Sequence, residues 1–213
     1  MMIKEVTKAA RSERLDVFGL LHAEPDDGIG EGTIVLLGPA EPGFWPHVTA
    51  SPEFCDGEPD PLDRWSARVV KRIAANAGGE ALLPFGTPAR PFTRWALRSG
   101  QAFVSPVLLL VHARAGLFVS YRGAVLLPKL LELPNPPARP CDACKAKPCL
   151  SACPVSALVR DRYDLPACHA YLETDAGQDC MSRGCAVRRS CPLGRNYPRM
   201  EIQSAHHMKA FHP

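Results

Sequence analysis

Eight of the nine cysteines fall after residue 140, in two sets that each close on Cys-Pro: Cys141, Cys144, Cys149, Cys153-Pro154, then Cys168, Cys180, Cys185, Cys191-Pro192. Grouped cysteines can do three kinds of chemistry: hold zinc, hold an iron–sulfur cluster, or close disulfides. Structural zinc sites commonly use two closely spaced pairs, and here only Cys141 and Cys144 form a Cys-x2-Cys pair. Disulfides need an oxidising compartment, whereas the opening Met1-Met2-Ile3-Lys4-Glu5 carries no apolar signal core. A [4Fe–4S] cube takes four thiolates, so eight cysteines serve two cubes with none left over. Two [4Fe–4S] clusters are therefore the expected cofactors, with a zinc-stabilised protein lacking redox activity as an alternative.

The division of ligands follows from the proline. In bacterial two-cluster ferredoxins the first three cysteines of a run hold one cube and the fourth, before proline, ligates the other. Proline also fixes φ and lacks an N–H, so the chain turns away just after the ligand and can start a helix. This logic assigns Cys141, Cys144, Cys149 and Cys191 to one cluster, and Cys153, Cys168, Cys180 and Cys185 to the other. The spacings are looser than the bacterial Cys-x2-Cys-x2-Cys-x3-Cys-Pro run, and only Cys149-Leu-Ser-Ala-Cys153-Pro154 matches its end. Cys55 stands alone among Glu53, Asp56, Glu58 and Asp60 and reads as a non-ligand.

Charge is distributed unevenly. The net charge is +3, yet from Arg139 onward eleven Lys/Arg stand against seven Asp/Glu. A basic segment raises the question of nucleic acid, but two cubes with four thiolates each, worth roughly −2 apiece, would neutralise it. Lys145, Lys147, Arg183, Arg188 and Arg189 lie between ligands, where their charge favours thiolate; a solvated face is the simpler reading of the same residues. No apolar run approaches the eighteen or so residues of a membrane helix, the longest being Val107 to Val111. A protein of the cytoplasm, away from the membrane, is expected.

Something must position these ligands. Leu133-Pro134-Asn135-Pro136-Pro137-Ala138-Arg139-Pro140 is too rich in proline for helix or central strand and reads as a stiff extended connector. The chain accordingly divides into residues 1–137, a mixed α/β domain, and 138–213, a small two-cluster domain, an α+β protein overall. In the first part Thr33-Ile34-Val35-Leu36-Leu37 reads as a strand, and residues 104–112 and 117–127 as two neighbouring antiparallel strands. The clearest helix begins with Asp60 as N-cap and Pro61 at its first position, places Trp65, Val69 and Ile73 on one face, and stops at Gly78-Gly79. A shorter helix is expected over residues 4–14. Residues 39–61, with six prolines, read as a long loop of the kind that often carries function. In the second part Pro166-Ala-Cys168-His-Ala-Tyr-Leu172 reads as a helix with Cys168 and Leu172 on the same face. The cluster domain holds few large apolar residues, so inorganic cores should substitute for a hydrophobic one.

The order of these motifs, a Cys-Pro set, Tyr163-Asp-Leu-Pro-Ala-Cys168-His-Ala-Tyr-Leu172, and a second set ending in Cys191-Pro192, resembles the cluster half of epoxyqueuosine reductases and their corrinoid-dependent relatives, which include respiratory reductive dehalogenases. The resemblance covers roughly residues 141–195. It implies that Cys168 is the isolated ligand preceding the second set, with Cys153, Cys180 and Cys185 completing its cube. It further implies a nitroreductase-like domain before the clusters that binds a corrinoid or FMN, and tRNA as a partner by analogy. The Gly-Leu-Gly-Trp type turn and the tyrosine- and histidine-rich substrate segment of those reductases are not found in this chain, and no residue matches their catalytic acid.

Other residues carry less chemistry. His206, His207 and His212 could reach a metal, although a tail docked by Met208 and Phe211 is the simpler expectation. His112 at the end of an apolar run reads as a satisfied core or edge histidine, and Trp45, Trp65 and Trp95 as packing residues. No Gly-x-Gly-x-x-Gly or Walker run is present. The reading that results is a ferredoxin-like electron-transfer protein with a redox protein partner. A corrinoid- or flavin-dependent oxidoreductase acting on a small-molecule substrate is the alternative, and its catalytic residues are not identified.

Overall fold

The computed structural model describes residues 2–213 as a mixed α+β protein of two compact units. One unit takes Met1–Ala102 and Ser120–Pro136; the other takes Phe103–Val119 and Pro137–Pro213. The proline-rich stretch is thus one of three points at which the chain passes between units.

The first unit is built on a four-stranded antiparallel sheet in the order Leu15–His22, Thr33–Pro39, Gly123–Leu127, Glu80–Leu82. Thr33–Pro39 is central and buried along its whole length, which explains a continuous apolar run in place of alternation. On one face Val35, Leu37, Val125 and Leu127 pack against Trp65, Val69, Val70 and Ile73 of the helix Pro61–Asn76. Register along Leu15–His22 shifts between Val17 and Gly19, and the Phe18 ring lies where a Cβ on Gly38 would meet it at 2.3 Å. Only glycine fits at 38.

Several expectations are corrected here. Asp60 precedes Pro61 as anticipated, but it sits at φ 52° and its side chain makes no cap; its carbonyl accepts the Asp63 and Arg64 N–H groups instead. The first helix spans Met2–Ser12, two residues earlier than 4–14. Residues 39–61 are not a long loop: they fold as the short helices Phe44–Thr49 and Pro52–Cys55. Pro52 sits in a first turn, where its missing N–H costs nothing, and Phe44 meets Trp65 edge-on at 5.5 Å. The two runs expected to pair, 104–112 and 117–127, belong to different sheets. Leu110–His112 pairs with Ala102–Val104, while Gly123–Leu127 joins the large sheet. Pro106 and the left-handed Leu108 (φ 62°) break the first run into a turn, in which the Ser105 N–H donates to the Leu109 carbonyl.

The second unit is made of short helices, 3-10 turns and the hairpin Leu158–Val159 / Arg162–Tyr163. Its core holds Val107, Val111 and Leu117 beside Cys149, Leu158, Val187 and Cys191. Three of the five buried aliphatic residues packed with these cysteines thus come from the segment that precedes the connector. Arginines of the cysteine-rich part hold that segment: Arg188 donates to the Leu117 carbonyl (2.6 Å), Arg199 to that of Phe118 (3.2 Å) and Arg139 to that of Val104 (3.4 Å).

Candidate metal centre

Cys141 lies on the one-turn helix Pro140–Ala143, Cys144 directly after it, and Cys149 in the 3-10 turn Pro148–Leu150. Cys191 sits where the helix Ala186–Ser190 ends and the turn Pro192–Asn196 begins. All four line one cavity of about 360 Å³, floored by Val111 and Leu117 and edged by Lys145 and Lys147. A hairpin backbone closes one side. Gly116 has φ +57°, and a Cβ there would stand 3.0 Å from the Cys191 sulfur and 2.9 Å from the Gly194 nitrogen. The His112–Gly116 bridge that sets this approach is held by the buried His112, whose Nδ1 accepts the N–H groups of Arg114 (3.2 Å) and Ala115 (3.3 Å). His112 is a satisfied core histidine.

Cys153, Cys168, Cys180 and Cys185 form the other group. Cys168 is in the first turn of Leu165–Leu172, a helix whose N-cap Asp164 accepts the Ala167 N–H at 3.0 Å. Cys180 is buried on Gln178–Arg183, and Cys185 is the N-cap of Ala186–Ser190. Burial pushes the Cys168 thiol up, and the nearby thiols of Cys185, Cys153 and Cys180 push it the same way, while the Tyr163 hydroxyl opposes them. Burial likewise raises Cys180, against a bond from the Ala186 N–H. In the first group burial raises Cys141, with Cys149, Cys191 and Cys144 adding to it, and raises Cys149, with Cys191 and Cys144 adding. Cys141, Cys144, Cys149 and Cys191 thus line one cavity, and Cys153, Cys180 and Cys185 lie near Cys168.

Buried thiols that face one another ionise together only when a cation compensates them. Among the described residues no three His, Cys, Asp or Glu side chains meet closely enough for a single metal ion, and all nine cysteines are free thiols. Cys55 is exposed at the end of Pro52–Cys55, in the other unit.

The basic residues between ligands are mostly engaged. Arg183 bonds Glu201 (2.7 Å) and Asp179 (3.0 Å), and Arg189 bonds Asp179 and the Gly184 carbonyl. The tail forms the helix Glu201–Phe211, and its end docks on the Cys168 helix: the His212 and His169 Nδ1 atoms are 2.7 Å apart, and Phe211 stacks on His169. His206 and His207 meet edge to face at 5.6 Å. Trp45, Trp65 and Trp95 are buried, with Trp95 Nε1 donating to Asp27 at 2.8 Å.

Two participants escape a reading of the sequence. Gly116 lies outside the cysteine-rich segment and is found only once the chain is folded. Tyr163 precedes Cys168 by five residues, and its hydroxyl donates to the Cys168 sulfur at 3.7 Å; a tyrosine just ahead of an N-capped helix bearing a ligand was the available signal. Comparison with protein-family models, characterised proteins and solved structures gives no match.

Proposed function

We propose that this chain is an iron–sulfur electron-transfer protein holding two [4Fe–4S] clusters in a ferredoxin-like arrangement. Cys141, Cys144, Cys149 and Cys191 would hold one cluster, and Cys153, Cys168, Cys180 and Cys185 the other. The observation that carries the reading is the cavity that all four cysteines of the first group line. A cavity of about 360 Å³ lined by four cysteines leaves room for a many-atom cube, whereas a single zinc ion with bonds near 2.3 Å needs far less. When bound, such clusters supply one-electron transfer at potentials set by burial and by hydrogen bonds to sulfur. The chain's own part is to bring four thiols to each site, shield the first with Val111 and Leu117, and admit a cofactor closely at Gly116. A redox protein is the partner that fits a two-cluster carrier, and the proposal keeps the resemblance to the cluster half of the epoxyqueuosine reductase family.

The crossover is the testable part. Cys191→Ala should lose the cluster of Cys141, Cys144 and Cys149 and spare the other; Cys153→Ala should do the reverse. Electron paramagnetic resonance of the reduced variants reads this directly. Loss of the Cys153 cluster in Cys191→Ala would refute the assignment.

A further inference from the structure

Tyr163 closes the two-residue strand Arg162–Tyr163, which pairs antiparallel with Leu158–Val159, Tyr163 opposite Leu158. The next residue is held twice: the Asp164 N–H donates to the Ala157 carbonyl at 2.7 Å, and the Asp164 side chain caps the helix Leu165–Leu172. Hairpin and cap together fix the backbone on both sides of the phenol, while Cys168 is carried one turn into the same helix. The hydroxyl thus meets the Cys168 sulfur at 3.7 Å, within reach of an O–H···S bond, on a residue 37% exposed. A second tyrosine stands near the same group of cysteines. Tyr171, on the same helix, spends its hydroxyl on the Ala176 carbonyl at 2.8 Å and gives nothing to sulfur.

A ligand sulfur carries more negative charge when its cluster is reduced than when it is oxidised, so a hydrogen bond donated to it stabilises the reduced state more. We infer that Tyr163 is a potential-setting residue for the second cluster, its hydroxyl raising that cluster's reduction potential through the Cys168 sulfur. The inference rests on the two-cluster reading above. It ties the phenol to one cluster by position: Tyr163 donates to a sulfur of the second group, while the first group is set among Val111, Leu117 and the Gly116 backbone.

The test is a dye-mediated redox titration of the anaerobic full-length protein, followed by electron paramagnetic resonance, for the wild type, Tyr163→Phe and Tyr171→Phe. Iron and sulfide are counted first in each. Tyr163→Phe keeps the ring and removes only the donor. The second cluster should become harder to reduce by up to about tenfold in the one-electron equilibrium, which is 59 mV, while the first stays unchanged. Tyr171→Phe should move neither. An unchanged second potential in a fully loaded Tyr163→Phe protein overturns the inference, as does an equal shift of both clusters. Should Tyr163→Phe fail to hold its second cluster, 3-fluorotyrosine at 163 decides: a stronger O–H donor must shift the second potential upward, and no shift overturns the role. Wild-type protein that takes up no iron refutes the two-cluster reading itself, a failure distinct from that of the tyrosine.

Discussion

Single side chains decide stability in the first unit, and two carboxylates illustrate how. Asp27 is buried, and burial alone would raise its pKa. Hydrogen bonds from Arg98, the Glu24 N–H, Trp95 and Arg94 outweigh that cost and hold it well below the usual carboxylate range. Glu53 is simpler: Arg68 grips it with two parallel bonds of 2.5 and 3.0 Å and brings it down to about 2 from 4.5. A lowered carboxylate contributes stability that is complete above its unfolded pKa and is lost as pH falls through the folded one. The Glu53 contribution should accordingly be full above pH 4.5 and fade towards pH 2. With Arg68 half exposed and screened by water, it should be on the order of 2 kcal/mol. Denaturant unfolding of wild type and Glu53→Gln measures this: the two should differ at pH 6 and converge towards pH 2. A gap that stays constant across that window would count against the assignment.

At the scale of elements, the approach of the His112–Gly116 bridge to Cys191 controls the first site. A side chain at 116 meets both a left-handed backbone, at a cost of about 1–2 kcal/mol, and the Cys191 sulfur. Gly116→Val should therefore lose the first cluster and retain the second, halving the iron content. Retention of full iron would show that the close approach is dispensable. The helix Pro61–Asn76 was legible in advance because Trp65, Val69 and Ile73 recur at helical spacing and Gly78 can take φ 64°. The strand Thr33–Pro39 was legible because a β-branched run there ends at Gly38-Pro39. The run 104–112 was not, since a short apolar stretch looks alike in a strand and in a core-lining turn, and the positive φ at Leu108 carries no glycine to announce it. Prolines misled over 39–61 because Pro52, which breaks a helix interior, instead begins one.

For the whole molecule, the chain's three passages between units matter more than the connector that advertises one of them. Ligand logic, which depends on counting and on proline, is what proposes the division of the eight cysteines into two fours. What could not be read was that Val107, Val111 and Leu117 come back to cover the first group, because such a contact spans many residues and leaves no local periodicity. No helix among the described residues is long and apolar enough to cross a membrane. The central claim is the metal content of this second unit. Anaerobically expressed and reconstituted full-length protein should contain about eight irons and eight acid-labile sulfides per chain, since two cubes saturate eight thiolates, with a brown visible spectrum that bleaches on reduction. A colourless protein carrying one or two zinc ions and no sulfide under the same conditions would contradict the account.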